Sequence, residues 1–311
     1  MPYVGAVRSV KVRVPAKINL ALHVGAARAD GYHQLSTVFH AIDMYDEITA
    51  TATHDGAINV EVVDVQGQPM PHVPVDRTNL AVRAAAVLRD RLDEPDLGVH
   101  LHIRKTIPVA GGMAGGSADA AGALLACNDV WRGALSRDEL DALAATLGSD
   151  VPFLLHGGNA LGAGRGELIT PVLSRSTFHW VLGVYAEGMS TPAVYAEFDR
   201  LAGGRGVNTP DEPRDVLAAL GSGDPDALAV ALRNDLAPAA LSLRPELLRG
   251  IEAAGPAPAL AAVISGSGPT TVFLVPDAES AELLALDLRT QAVFDDVLIA
   301  RGPVPGARVV G

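Results

Sequence analysis

PVAGGMAGGSADAA, Pro108 to Ala121, sets four glycines and a serine between an alternating strand pattern and a helix. Gly111, Gly112, Gly115 and Gly116 reach backbone dihedrals closed to other residues and carry no side chain to hold an anion away from their N–H groups. Ala120, Ala121, Leu124, Leu125 and Trp131 then recur at helical spacing, so the loop opens into a helix N-terminus that favours negative charge. Ser117 is placed to cap that helix or to touch phosphate or metal. The stretch fits no common phosphate loop: Ala118 and Asp119 stand where a Walker loop continues, without its lysine, and Met113 breaks the GxGxxG spacing of dinucleotide and protein-kinase loops. Taken by itself, it also reads as a glycine turn needed only for close strand-helix packing.

The 311 residues suggest two domains. A net charge of -12 argues against a broad nucleic-acid surface, so an anionic ligand must be met locally by backbone amides and a few cations such as Lys17 and Lys105. Cys127, the single cysteine, lies on the helix after the loop and reads as a small buried side chain. The start of the chain lacks an apolar signal region and no stretch is long enough to cross a bilayer, so a cytoplasmic protein with no membrane partner is expected.

Val10, Val12 and Val14 alternate with polar residues as in a half-buried strand running into Pro15, after which the chain is expected to turn through PAKIN. Ile58 to Val62 and Val99 to Ile103 repeat the strand pattern, with a helix from Asn79 to Leu92 between them. Ser136 and Glu139 form a capping box ahead of Leu140, Leu143 and Leu147. GSDVPF then presents Asp150, and GNALGAGRGE returns the chain through glycines. A strand from Phe178 opens a second unit, which places the boundary near Arg175, giving residues 1–175 and 176–311. Gly203 to Pro213 reads as a mobile loop, followed by helices around Val216 to Leu220 and Asp226 to Leu232. Strands at Ala261 to Ile264 and Val272 to Val275 flank a second glycine turn, SGSGP. The class is α+β or α/β.

PAKIN, DGYH, the glycine loop, GSDVPF, TPAVY, NDL and SGSGP, in this order, make the chain resemble the GHMP kinases (galactokinase, homoserine kinase, mevalonate kinase, phosphomevalonate kinase). The resemblance runs from about Val14 to Phe273 and looks closest to the branch that acts on the cytidine diphosphate conjugate of methylerythritol. It implies the two-domain α+β fold, an N-terminal α/β domain with a ferredoxin-like C-terminal domain, and an ATP- and Mg2+-dependent transfer to that small-molecule substrate. Another GHMP kinase, of homoserine or mevalonate type, and a nucleotide-binding regulator without catalysis are the rival readings.

Phosphoryl transfer asks a protein for in-line positioning, charge neutralisation and a group to take the nucleophile's proton. Asp150 is the candidate base, although its place before Val151 and Pro152 also suits a helix cap. Lys17, by local sequence a solvated surface charge, is in the resembling family the partner of that aspartate and neutralises charge on the transferred group. Asn19 is placed to hydrogen-bond the substrate. Tyr32 can stack on a pyrimidine whose edge His33 reads, or be an ordinary packed turn residue. The resemblance places Tyr195 on the opposite face of the base, with Thr191 and Pro192 in the same wall, and carries Asn79, Lys105 and Pro108 over to the nucleotide side. Met113, Ala114 and Ala118 depart from the family's commoner GLGGGSS loop, and Asp119 is favourable only where it faces metal or helix N-terminus. Glu167 in GRGE is a candidate to reach the nucleotide's magnesium, while His100 and His102 share a strand face and read as solvent-facing. No metal ligand is assigned.

Overall fold

The computed structural model describes residues 8–53, 55–203, 209–255 and 258–310. Of the loop expected between Gly203 and Pro213, residues 204–208 lie outside the described residues. In the first half, β1 (Ser9–Ala27), β2 (His33–Thr53) and β3 (Ile58–Val63) precede α1 (Leu80–Leu92) and β4 (Gly98–Arg104). The glycine loop leads into α2 (Gly115–Val130), followed by α3 (Arg137–Leu147), α4 (Val151–His156), β5 (Asn159–Ala163) and β6 (Leu168–Val172). In the second half come β7 (Phe178–Val184), α5 (Thr191–Ala202), α6 (Arg214–Ser222), α7 (Pro225–Ala231) and the two-residue β8 (Arg233–Asn234). Then follow α8 (Ala237–Leu243), α9 (Leu247–Glu252), β9 (Ala261–Ile264), β10 (Thr271–Val275), α10 (Ala278–Gln291), β11 (Asp296–Gly302) and β12 (Arg308–Val309).

Two mixed layers result. Among the described residues a first sheet runs β12-β1-β2-β4-β3, with β5 on β2, β6 on β5 and β8 on β1. A second runs β11-β7-β10-β9, antiparallel throughout. β8 and β12 thus return from the second half of the chain onto β1.

PAKIN does not end the first strand, as its proline suggested. β1 continues through it, and register shifts at Pro15/Ala16, Asn19/Ala21 and Val24/Ala27 absorb the irregularity. GNALGAGRGE is likewise more ordered than a glycine return, since it contains β5 and the turn into β6. The helix expected from Asn79 forms over Leu80–Leu92 with Asn79 as its cap, and the Ser136/Glu139 capping box is complete.

The inner strands of the second sheet, β7 and β10, are buried on both faces, which is why they read as continuous apolar runs. Trp180, Leu182, Val272 and Leu274 face a core shared with the first sheet, whereas Val181, Phe273 and Val275 face the core under α8 and α10. This alternation makes the sheet a common wall between the two cores.

His40 of β2 is fully buried at that wall. Its Nε2 accepts the Trp180 indole N–H at 3.1 Å, so the imidazole proton sits on Nδ1, which donates to Asn159 Oδ1 at 2.5 Å. Burial, only partly opposed by the Asn159 bond, holds the His40 pKa down to about 4, against 6.5 in an unfolded chain. A depressed folded pKa means that the contribution is intact above pH 6.5 and is lost as pH falls toward 4, by about 3 kcal/mol in all. Denaturant unfolding between pH 7 and pH 4.5 checks this: wild type is expected to lose stability more steeply than His40→Gln. Parallel pH profiles would show that His40 carries none of the acid sensitivity.

Candidate active site

A cleft of about 730 Å³ opens between β1 and β2 of the first sheet, the glycine loop and α5. Strand periodicity places Lys17 and Asn19, two residues apart, on one side of β1, while Ala16, Ile18 and Leu20 go into the core. Lys17 is only 5% exposed. Its Nζ donates to Asn19 Oδ1 at 2.6 Å, Asn19 Nδ2 donates to Thr37 Oγ1 at 2.8 Å, and Thr37 Oγ1 donates to the Ala21 carbonyl at 2.6 Å. This one-way chain fixes the Asn19 amide and the ammonium behind it, and places the ammonium 5.6 Å from the Phe39 ring centroid. The Asp150 Oδ2 lies 3.7 Å from the ammonium.

Asp150 precedes α4 but does not cap it with its side chain. Its backbone is already helical (φ -85°, ψ -14°), which turns the carboxylate away from the N–H groups an extended cap residue would reach. Pro152 in the first turn also removes a donor. The carboxylate therefore stays available to the cleft.

Ser117 does not cap α2. The cap position is Ala114, in the left-handed region (φ 60°), and α2 begins at Gly115, so Ser117 sits in its first turn beside the orphan N–H groups. Gly111, Gly112, Gly115, Gly116 and Ser117 all border the cleft. Gly112 has φ 80°, and a Cβ there would lie 2.2 Å from the Ser265 carbonyl oxygen. A Cβ on Gly116 would touch only Leu80, at 3.7 Å, so this glycine leaves open room above the helix terminus. The loop is docked on the second glycine turn: Ser265 Oγ donates to the Gly112 carbonyl at 3.1 Å, and Asn234 Nδ2 holds the Ile264 and Gly266 carbonyls at 2.7 and 2.8 Å. NDL and SGSGP thus meet beneath the glycine loop.

Lys105 is placed otherwise than expected. It does not border the cleft but is buried under the loop, where Nζ donates to Asp46 Oδ2 at 2.5 Å, Asp119 Oδ2 at 2.8 Å and the Gly115 carbonyl at 3.2 Å. Burial works against its charge, but Asp119 and Asp46 outweigh it and hold the ammonium above the ordinary lysine range. Asp119, favourable at this position only where it faces metal or helix terminus, is instead spent on this triad. Asp46 also accepts the backbone N–H groups of Thr106 and Ile107 at 2.6 and 2.9 Å, whereas Asp119 Oδ1 has no donor among the described residues. Burial therefore pushes the Asp119 carboxyl up, against the pull of Lys105 and helped by Asp46.

Asn79 and Pro108 also lie outside the cleft lining. The Asn79 side chain is used at both ends, accepting from Ala81 N at 2.8 Å and donating to the Pro74 carbonyl at 2.7 Å. Glu167 does not reach the cleft: its carboxylate accepts the Arg165 backbone N–H at 2.6 Å. His100 lies 3.9 Å from Glu61, and no group of three metal-ligating side chains occurs among the described residues. Cys127 is buried, which pushes its thiol up and away from thiolate chemistry.

Tyr32, His33, Thr191, Pro192 and Tyr195 all border the same cleft. His33 and Tyr195 are 4.9 Å apart between ring centroids at 33°, and His33 Nε2 is 2.9 Å from Asp199 Oδ1. Burial, then the nearby Asp150 charge, raises the Tyr195 phenol above its ordinary value and keeps it neutral. Thr191 and Ser267 hydroxyls bond at 2.9 Å, joining α5 to the second glycine turn. The sequence reading missed Thr37, Arg165, Asp199 and Ser267 in this lining. Asp199 was within reach, being one helical turn beyond Tyr195 on α5.

Residues 79–158 match the GHMP kinases N terminal domain and residues 216–293 the GHMP kinases C terminal domain. The chain is 55% identical to the 4-diphosphocytidyl-2-C-methyl-D-erythritol kinase of Streptomyces coelicolor over 97% of its own length and 99% of the relative's. It is 52% identical to the enzyme of that name from Mycolicibacterium smegmatis, covering 97% and 92%. A crystal structure of 4-(cytidine 5'-diphospho)-2C-methyl-D-erythritol kinase superposes with a TM-score of 0.72 at 30% identity, covering 96% of this chain and 99% of that one. A homoserine kinase from Cytophaga hutchinsonii, at 17% identity and a TM-score of 0.74, shares the fold. With both domains matched and identity above one half across nearly the whole length, the chain belongs to the 4-diphosphocytidyl-2-C-methyl-D-erythritol kinase family of the GHMP kinases.

Proposed function

We propose that this chain transfers the γ-phosphoryl group of ATP to the 2-hydroxyl of 4-diphosphocytidyl-2-C-methyl-D-erythritol, a step of the non-mevalonate isoprenoid pathway. The observation that carries this reading is the Lys17 Nζ to Asp150 Oδ2 approach of 3.7 Å, in a cleft that both the glycine loop and the Tyr32, His33 and Tyr195 rings border. Asp150 takes the hydroxyl proton as the new P–O bond forms, and Lys17, held by Asn19, stabilises charge on the transferring group. The loop amides from Gly111 to Ser117 hold the triphosphate at the start of α2.

A magnesium ion would neutralise the phosphate oxygens. Among the described residues no carboxylate cage is built for it, and the cleft offers the Ser117 hydroxyl near the loop. That donor set suits an ion that enters with the nucleotide and keeps most of its ligands from phosphate and water.

Tyr32 and Tyr195 border the acceptor end and are proposed to receive the pyrimidine, with His33 at its edge. Stacking of one base on an aromatic ring corresponds to an affinity loss of about tenfold when the ring is removed. Tyr32→Ala is therefore expected to raise the KM for the cytidine conjugate about tenfold while the KM for ATP stays unchanged; an unaltered acceptor KM would remove Tyr32 from the pocket. The whole reading is tested by ADP release with magnesium and ATP, comparing the conjugate with methylerythritol phosphate lacking cytidine. Release with the conjugate alone is expected. Stimulation by neither acceptor in folded, ATP-binding protein would favour the regulator reading, and stimulation by homoserine or mevalonate another GHMP activity.

A further inference from the structure

Arg165 stands at the tip of the turn between β5 and β6, and the transfer chemistry makes no use of it. Gly164 and Gly166 on either side have φ of 72° and 109°, so the turn is tight and the intervening side chain projects from it. Glu167 closes the turn from within: Oε2 accepts the Arg165 backbone N–H at 2.6 Å, and Oε1 lies 3.7 Å from the Arg165 Nε. A Cβ on Gly164 would sit 3.0 Å from that carboxylate, so the brace leaves little room for another residue.

The braced guanidinium lies 4.7 Å from the centroid of the Tyr32 ring. Other arginine-ring pairs among the described residues stand farther off, at 5.3 to 5.5 Å. Both side chains border the cleft, yet Tyr32 is 52% exposed and sits outside regular secondary structure. A ring so placed loses rotamer freedom when a ligand stacks on it, which weakens binding. A planar cation on one face restrains the ring beforehand and leaves the opposite face open.

We infer that Arg165 is a positioning residue that sets specificity for the pyrimidine-bearing half of the acceptor, by holding Tyr32 as a pre-formed stacking face. This rests on the acceptor proposed above. Arg165 acts through Tyr32, so the two residues form one unit whose losses do not add.

The test titrates CDP into wild type, Arg165→Leu, Tyr32→Ala and the double variant, each saturated with magnesium and ADP, alongside steady-state kinetics with the conjugate. Arg165→Leu is expected to weaken CDP about five- to tenfold and to raise the conjugate's KM by a similar factor, with kcat and the KM for ATP unchanged. In the Tyr32→Ala background the same change is expected to cost nothing further. Arg165→Gln, which keeps the stem without the cation, carries the same expectation if the leucine variant folds poorly. Wild-type affinity in the Arg165 variants, or an equal loss in both backgrounds, would overturn the inference while leaving the proposed reaction standing. A wild-type protein that neither binds CDP nor turns over the conjugate would overturn the proposed reaction, and this inference with it.

Discussion

Asp150→Asn is expected to lower kcat at saturating substrates by at least about a hundredfold while ATP affinity and the unfolding midpoint stay at wild-type values, the scale of a lost general base. Asparagine keeps the size of the side chain but loses the negative charge and, with it, the ability to take a proton. Little structure depends on the carboxylate, because the helix it precedes receives no capping bond from it. Among the described residues its one ion-pair partner is Lys17, at 3.7 Å. Single-turnover rates and ADP titration separate the chemistry from binding. Removing the ammonium as well, with Lys17→Met in the same background, is expected to cost far less than the two single losses combined, since the pair acts on one transferring group. Wild-type turnover by Asp150→Asn would take Asp150 out of the mechanism.

Lys105→Met is expected to be the most destabilising single change in the first half of the chain, by about 3 to 5 kcal/mol, because it leaves two carboxylates facing each other without their cation. Asp46 is fully buried and Asp119 nearly so, and among the described residues no other cation contacts either. Denaturant unfolding measures the loss. Its pH dependence is a second check: Asp119 has its folded pKa raised, so it favours the folded state at low pH and loses that contribution as pH rises through the raised value. Removing the ammonium takes away the charge that holds these carboxyls down, so both become still harder to ionise in the folded variant, and the deficit of Lys105→Met should be larger at pH 8 than at pH 5. The Gly115 carbonyl also loses its donor, so the glycine loop should bind ATP more weakly in whatever protein folds. A variant as stable as wild type at pH 8 would show that the triad does not brace the loop.

Local chemistry explains what could be read in advance. A glycine loop, a capping box and an alternating strand each state their geometry within a few residues, and the Asn79 and Ser136 caps and the start of β7 follow from such signals. Lys105 shows where that approach ends. Its type and its place before the loop suggested phosphate, but its role is decided by Asp46, 59 residues away, and by Asp119, whose carboxylate spacing alone cannot aim. β2 was hidden for a related reason. From His33 to Thr53 its apolar and polar residues do not alternate cleanly, because one half lies between β1 and β5 and the other between β1 and β4, with different faces covered. Arg165 escaped notice beside Glu167, since only the fold shows that the acid braces the turn and the base meets Tyr32.

The phosphorylated position tests the proposed reaction most directly. In 2-C-methyl-D-erythritol the second carbon carries the methyl group and no hydrogen, so a phosphate there has no proton three bonds away. Phosphorus NMR of the product formed from ATP and the cytidine conjugate should show, beside the diphosphate resonances, one new monoester signal without proton splitting. A split monoester signal would place the phosphate on another hydroxyl, and the absence of any new signal while ATP is consumed would contradict transfer to this acceptor.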